Sequence, residues 1–379
     1  MSVTYISADG AFGGPVSVAL NQAAGLVEAG HDVTLLAGWD GLEPPTVPGV
    51  ELILLRAKPL LRAGFVVTAT WGLRKWLRRN IHRFDLVHVH SGRHLFDVIV
   101  ANAAVKSSAP TMLQPHGMIA PSSRVAVRAV DRLIILPLLR RASAILALTM
   151  DEESGLRELV PLQLISRIRN GIRSGSVAAK RVNNEVLFLA RLHPRKRVLA
   201  FAEAAKAIQE TSPEATFAVV GPDEGDLVRL KAFMSANPDV RLRYEGVIAP
   251  GSAAARLAQA TVFVLPSRGE VFPVTVLEAL SVGTPTVITA DCGIAGELAE
   301  SGAAKVTDGT SQDLAAIIEA LLRDKAAREA LSHAALKATD QLYSNAAVTR
   351  ALIETYNEAT MRGRRRIPYG DARDLEHRS

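Results

Sequence analysis

At 379 residues the chain is too long for one ordinary hydrophobic core and suits two domains of about 150–200 residues each. It is 48% hydrophobic and 22% charged, as expected of a globular protein, and its single cysteine excludes both an intrachain disulfide and a four-cysteine zinc site. No apolar run approaches the roughly 18–20 residues of a membrane span, and MSVTYIS has no basic stretch leading into an apolar one, so no signal peptide is expected. A reduced cytoplasmic setting follows, with Cys292 packing rather than reacting.

The net charge of +6 is unevenly placed. Between Leu52 and Phe84 stand eight basic residues and no acidic one, and between Arg124 and Arg141 five basic and one acidic. The positive charge belongs to the first half, and the remainder is net negative.

In chain order, VTYIS (3–7) reads as a strand and DGAFGGP (9–15) as a glycine-rich break. Helical spacing then runs over 16–29 and stops at Gly30, and DVTLLAG (32–38) is a second strand. That βαβ opening predicts a parallel sheet covered by helices. DLVHVH (85–90), TMLQPHG (111–117) and AILALT (144–149) continue the strand series. A Gly/Ser/Ala-rich join near 168–180 separates a second α/β unit. It has strands at 185–191, 215–221, 261–267 and 284–290 and helices at 198–210 and 274–281. A long helical stretch over 312–361 precedes a basic tail, 362–379, with little to bury.

Residues 71–84 have a divided character. Leu73, Trp76, Leu77, Ile81 and Phe84 share one helical face, and Arg74, Lys75, Arg78, Arg79, His82 and Arg83 fill the other. This is the pattern of an interfacial helix on anionic lipid, or of a domain helix with a solvated basic side. Nothing resembles a nucleic-acid reader.

The strongest chemical signal is PSRGEVFPVTVLEALSVGTP (266–285), where Glu270 and Glu278 stand eight positions apart across a strand end and the next helix. Pro273 suits the first helical turn. A helix beginning there aims free N–H groups at the crevice beyond the strand ends, where open α/β sheets bind ligands. Two carboxylates beside a phosphate site make sense as acceptors from hydroxyls on either side of it. Arg191 and Lys196, in ARLHPRKR (190–197) after a strand, suit the phosphates themselves. PHGM (115–118) ends a strand in the first half, and Gly10, Gly13 and Gly14 would let backbone approach a phosphate. Each has a plainer reading: solvated glutamates, an exposed basic loop, a structural histidine, a turn. His88 and His90 share one strand face and suit a structural or acceptor-side role.

Taken together, in order, AFGGP, PHGM, NGI (170–172), RLHPRK, VVGP (219–222), the glutamate pair and GTPTV (283–287) resemble glycosyltransferase family 4 over roughly 5–345. The resemblance implies a GT-B fold, with two Rossmann-like domains facing a central cleft. Residues 1–168 would bind acceptor, 169–345 would bind donor, and a helix at 346–361 would return to the first domain. It implies a retaining enzyme that moves a hexose from a UDP- or GDP-sugar to a glycan or lipid-linked acceptor, with no metal. Glu278 would hold the ribose, Glu270 a hydroxyl of the sugar, and Arg191 with Lys196 the diphosphate. His116 would contact the sugar beside the scissile bond, and Gly13 and Gly14 the phosphates. Gly221, Phe272, Val274 and Thr275 would complete the donor site. Val271, Pro273 and Arg197 depart from the glycines many members carry there, which implies an altered donor preference.

Physical chemistry agrees with that assignment. A departing diphosphate needs its charge stabilised, and the chain has no Asp-x-Asp to hold a metal, so fixed cations and a helix end take that role. No residue stands out as a covalent nucleophile, which favours departure and attack on one face. A sugar-nucleotide epimerase or hydrolase on the same fold, or a binding protein without catalysis, remain the rivals. Dehydrogenase and kinase readings fail for want of their glycine motifs. The location expected is cytoplasmic, or peripheral on the inner face of the plasma membrane.

Overall fold

The computed structural model describes residues 1–6, 13–41, 46–62, 66–119, 124–172, 181–249 and 251–365. The chain divides into two compact units, Met1–Arg169 with Val348–Ser379, and Asn170–Ala347.

The first unit carries β1 (Ser2–Ile6), β2 (Val33–Trp39), β3 (Val50–Arg62), β4 (Val66–Thr70), β5 (Val87–His90), β6 (Thr111–Gln114), β7 (Ala144–Ala147) and β8 (Ile165–Arg167). They lie in the order β4-β3-β2-β1-β5-β6-β7-β8. All neighbours are parallel except β3 and β4. The second unit carries β9 (Glu185–Leu189), β10 (Thr216–Val220), β11 (Leu242–Gly246), β12 (Val262–Leu265), β13 (Thr286–Thr289) and β14 (Lys305–Thr307), ordered β11-β10-β9-β12-β13-β14. All of its pairs are parallel.

Each sheet therefore reverses its strand order once, at β1/β5 and at β9/β12. These switch points are where doubly wound sheets open a crevice beyond their carboxyl ends. The central strands are covered on both faces: every residue of β5, β6, β7, β9, β12 and β13 is buried, most of them apolar. The first helix, Gly13–Glu28, ends as its sequence predicts. Gly30 takes φ +89°, and His31 N–H reaches back to Leu26 O at 3.0 Å.

Three expectations change. The hairpin β3/β4 was not legible because Pro59 and the basic residues interrupt its pattern. The register slips between Pro59 and Leu61, where proline offers no N–H to the ladder. The stretch 312–361 is not one helix but Ser311–Arg323, Lys325–Ala338, a wide turn Thr339–Tyr343, and Asn345–Arg365. Asp324 makes the first break: it ends one helix in an extended conformation and caps the next by accepting from Ala327 N–H at 2.9 Å. The last helix runs through Arg365, so 362–365 continue it, and the rest of the expected tail lies outside the described residues.

The third change concerns 71–84. Leu73–Asn80 is a helix followed by a 3-10 turn, Ile81–Arg83. Leu73 and Leu77 lie within the core beside Val87, Phe96 and Val100, and Trp76, Ile81 and Phe84 pack against it. The apolar face is therefore internal, and the helix has none left to insert into lipid. Its arginines and Lys75 are simply the solvated side. Among the described residues no helix is long and apolar enough to cross a membrane.

Candidate active site

In the second unit, the loops leaving β9 and β12 meet at the switch point. The loop after β9 is shaped by a 3-10 turn, Pro194–Lys196, capped by His193 Nδ1 accepting from Arg195 N–H at 3.1 Å. The turn carries Lys196 to the loop after β12, where its ammonium pairs directly with the Glu270 carboxylate. The two side chains are 14% and 19% exposed, so water screens the pair only partly. Arg195 joins the loops by their backbones, donating to Gly269 O at 2.6 Å and Arg268 O at 3.3 Å. Gly293 N–H holds Glu270 O at 2.8 Å from the other side. Arg197 then takes φ +56° and opens the helix Val198–Thr211. This left-handed conformation explains why glycine suits the position in the resembled family.

The helix Val274–Ser281 begins beside Glu270. Pro273 is its cap rather than a member of its first turn: Val276 and Leu277 N–H turn back onto Pro273 O at 3.1 and 3.4 Å. The amides of Val274 and Thr275 make no hydrogen bond among the described residues. Val274 is half exposed, so the positive end of the helix is open. Glu278 lies one turn further along, half-buried and without an ion pair among the described residues, and burial raises its pKa. Phe272 is buried edge-on against Tyr343, ring centroids 6.1 Å apart, so its ring is a packing element. Arg191 is the outlier of the expected set. It is 62% exposed and engaged by Glu224 at 2.8 Å, not by the Lys196 cluster. Gly221, at φ +142°, is a close-approach glycine whose N–H and carbonyl are taken by Gly246 O and the Tyr244 hydroxyl, both at 2.8 Å.

In the first unit, β5 and β6 deliver His90 and His116 to the β1/β5 switch point. His90 Nδ1 lies 2.8 Å from His116 Nε2, and the two rings meet edge to edge, centroids 5.1 Å apart and planes within 12°. His88 stacks on the face of His90 at 4.5 Å, and its Nδ1 lies 2.7 Å from the Tyr356 hydroxyl of the last helix. His116 sits at φ +54° and Gly117 at +73°, a pair of left-handed residues at the strand end. Glu152 braces them, its carboxylate accepting from Gly117 N–H at 2.6 Å and Leu148 N–H at 2.7 Å. Burial pushes the His116 pKa down to about 4, so the ring is neutral at neutral pH. Gly13 and Gly14 start the first helix; the loop before them lies outside the described residues. Among the described residues no group of three or more His, Cys, Asp or Glu could hold a metal ion. Cys292 is buried, and burial raises its thiol pKa to about 11, which makes it unreactive.

Two family models match the chain, "Glycosyl transferase 4-like domain" over residues 13–171 and "Glycosyl transferases group 1" over 175–338. The chain belongs to glycosyltransferase family 4. The glycogen synthase of Mycobacterium tuberculosis is 26% identical over 386 residues, covering 90% of this chain and 89% of that protein. The sulfoquinovosyl transferase SQD2 of Arabidopsis thaliana is 30% identical over 163 residues, 41% of this chain and 31% of that protein, so the match spans about a third of it. An Escherichia coli UDP-Gal:alpha-D-GlcNAc-diphosphoundecaprenol alpha-1,3-galactosyltransferase is 29% identical over 228 residues, 55% of this chain and 58% of that one. The fold is that of the Anabaena Alr3699/HepE crystal structure in complex with UDP, at TM-score 0.74 and 18% identity, covering 94% of this chain and all of that one.

In this family 4 glycosyltransferase, Lys196, Glu270 and the Val274 helix start come together, with Glu278 one turn behind. Arg191 stands apart on Glu224, and Gly221 serves the backbone. Glu224 was not singled out from sequence. Its signal is positional: β10 pairs with β9, so the loop after VVGP lies beside the loop carrying Arg191. Glu152 and the pairing of His90 with His116 gave no linear signal.

Proposed function

We propose that this glycosyltransferase moves a hexose, with retention and without a metal, from a UDP- or GDP-sugar to a glycan or lipid-linked acceptor. The observation that carries the reading is the Lys196–Glu270 pair at the β9/β12 switch point, beside an open helix start. Without ligand the two charges neutralise each other. With donor bound, Lys196 turns to the diphosphate and Glu270 accepts from a sugar hydroxyl. Arg191, released from Glu224, adds a second cation, and Glu278 accepts from the ribose.

In the reaction, the bond from the anomeric carbon to the phosphate oxygen breaks and the diphosphate keeps the electron pair. The Val274 and Thr275 amides stabilise that charge from fixed positions, and Lys196 and Arg191 add theirs once donor has drawn them from Glu270 and Glu224. The acceptor oxygen attacks on the face the phosphate leaves, and its proton passes to the departing phosphate oxygen. His116 contacts the sugar beside this bond. A panel of nucleotide sugars with acceptors in excess chelator tests the reading. Transfer is expected to persist; dependence on added Mg²⁺ or Mn²⁺ would overturn the metal-free route. Donor turnover equally fast without acceptor would favour a hydrolase.

A lipid-linked acceptor, such as the one in the E. coli relative's name, calls for a surface that meets anionic lipid. With 71–84 packed inward, that surface is assigned to 124–141, where Val125 (72% exposed) and Leu133 (75%) stand among exposed Arg124, Arg128, Arg132, Arg140 and Arg141. Leu133→Glu with Val125→Glu is expected to lower co-sedimentation with phosphatidylglycerol vesicles several-fold, most clearly at low salt. Equal sedimentation of variant and parent would remove the assignment.

A further inference from the structure

The histidine column of the first unit is more built than a structural histidine cluster requires. His90 is 1% exposed, stacked on His88 with ring planes 20° apart and joined edge to edge to His116, whose plane lies 12° from its own. Turning the ring would break its hydrogen bond to His116 and its stacking on His88. Its Nδ1 bonds to His116 Nε2, while its Nε2 is buried with no partner. His116 Nδ1 has no hydrogen bond among the described residues, so it is the nitrogen left for a substrate.

The direction of that hydrogen bond follows from the unpartnered atom. If His90 accepted at Nδ1, its own proton would sit on Nε2 as a buried N–H with nothing to bond. If His90 donates from Nδ1, Nε2 carries only a buried lone pair. Orphaned buried N–H groups are the rarer defect in native proteins, so donation is favoured. His116 then accepts at Nε2, and its proton must lie on Nδ1.

We propose that His90 is a positioning residue that holds His116 as its Nδ1–H tautomer, making His116 a neutral hydrogen-bond donor to an oxygen of the bound sugar rather than a base. The assignment of a sugar to that nitrogen rests on the functional reading above; the tautomer does not. The left-handed backbone at His116 supports the same role. It is a strained conformation for a residue with a side chain, and here Glu152 on Gly117 N–H and His90 on the ring both hold it. His88 and Tyr356 back the column from the last helix, so that helix supports the geometry of the His116 ring.

Long-range nitrogen-15 NMR of the full chain, with His116 signals assigned by their loss in His116→Gln, tests this directly. His116 is expected to show a protonated Nδ1 and an unprotonated Nε2. His90→Leu should release it to a mixed tautomer and lower kcat by roughly tenfold or more, with nucleoside diphosphate affinity changed less than about twofold. His90→Asn, whose amide N–H can stand in for Nδ1–H, should restore most of kcat. A protonated Nε2 on His116 in the parent protein, or His90→Leu with parental kcat, would overturn the proposal. Should His90→Leu fail to fold, the parent spectrum and His90→Asn still decide it. Absence of any nucleotide binding and transfer by the parent would sink the functional reading instead, leaving the tautomer to the spectrum.

Discussion

Lys196→Ala is expected to lower sugar transfer by about 10²–10³-fold, the scale set by deleting one preorganised charge-stabilising group elsewhere. Its ammonium is the best-placed cation at the β9/β12 switch point, and Arg191 begins on Glu224 and must leave it to help. The alanine variant also leaves Glu270 without an ion pair among the described residues, its carboxylate facing the incoming phosphates. Repulsion is thereby added to the loss of attraction. The fold should hold, because Arg195 and Gly293 fix both loops through backbone carbonyls without Lys196. Transfer rates with an intact circular-dichroism melt would check this. A folded variant with parental rates would remove Lys196 from the site.

Gly221→Ala should be the most damaging small substitution in the second unit. A Cβ there would stand 1.9 Å from Ala190 O and 2.6 Å from Ala190 C, both backbone, and φ is +142°. Neither contact can be relieved by rotating a side chain, so the end of β9 must move away from β10. Such backbone effects fall in the upper range for single substitutions, about 3–4 kcal/mol. For a domain of this size that lowers Tm by roughly 6–16 °C. The shift falls on Ala190 and Arg191, so nucleotide binding should weaken as well. A variant melting within about 1 °C of the parent would show that the β9 and β10 ends are not so tightly apposed.

Strands such as VFVL of β12 were legible because each is buried on both faces and uninterrupted, whereas β8 and β14, three residues each, are too short to show any period. The helix 274–281 could be read from its proline and glycine boundaries. Its companions Lys196 and Glu270 could be named as candidates, but their contact, 74 residues apart in sequence, depends on the β9/β12 crossover. The face of Leu73, Trp76 and Phe84 shows why amphipathicity alone misleads. The same spacing serves a lipid surface or a domain core, and only the neighbouring Phe96 and Val100 decide between them. The His90–His116 bond joins the ends of two parallel strands, a proximity set by pairing His90 with Gln114 rather than by any local pattern.

The central claim is that the β9/β12 switch point receives the nucleotide of the donor. A crystal of the full chain grown with UDP or GDP measures it most directly. The expected result is a diphosphate on Lys196 Nζ and the Val274 helix start, a ribose on Glu278, and the Lys196–Glu270 pair opened. A nucleotide ordered elsewhere, with that pair still closed, would contradict it.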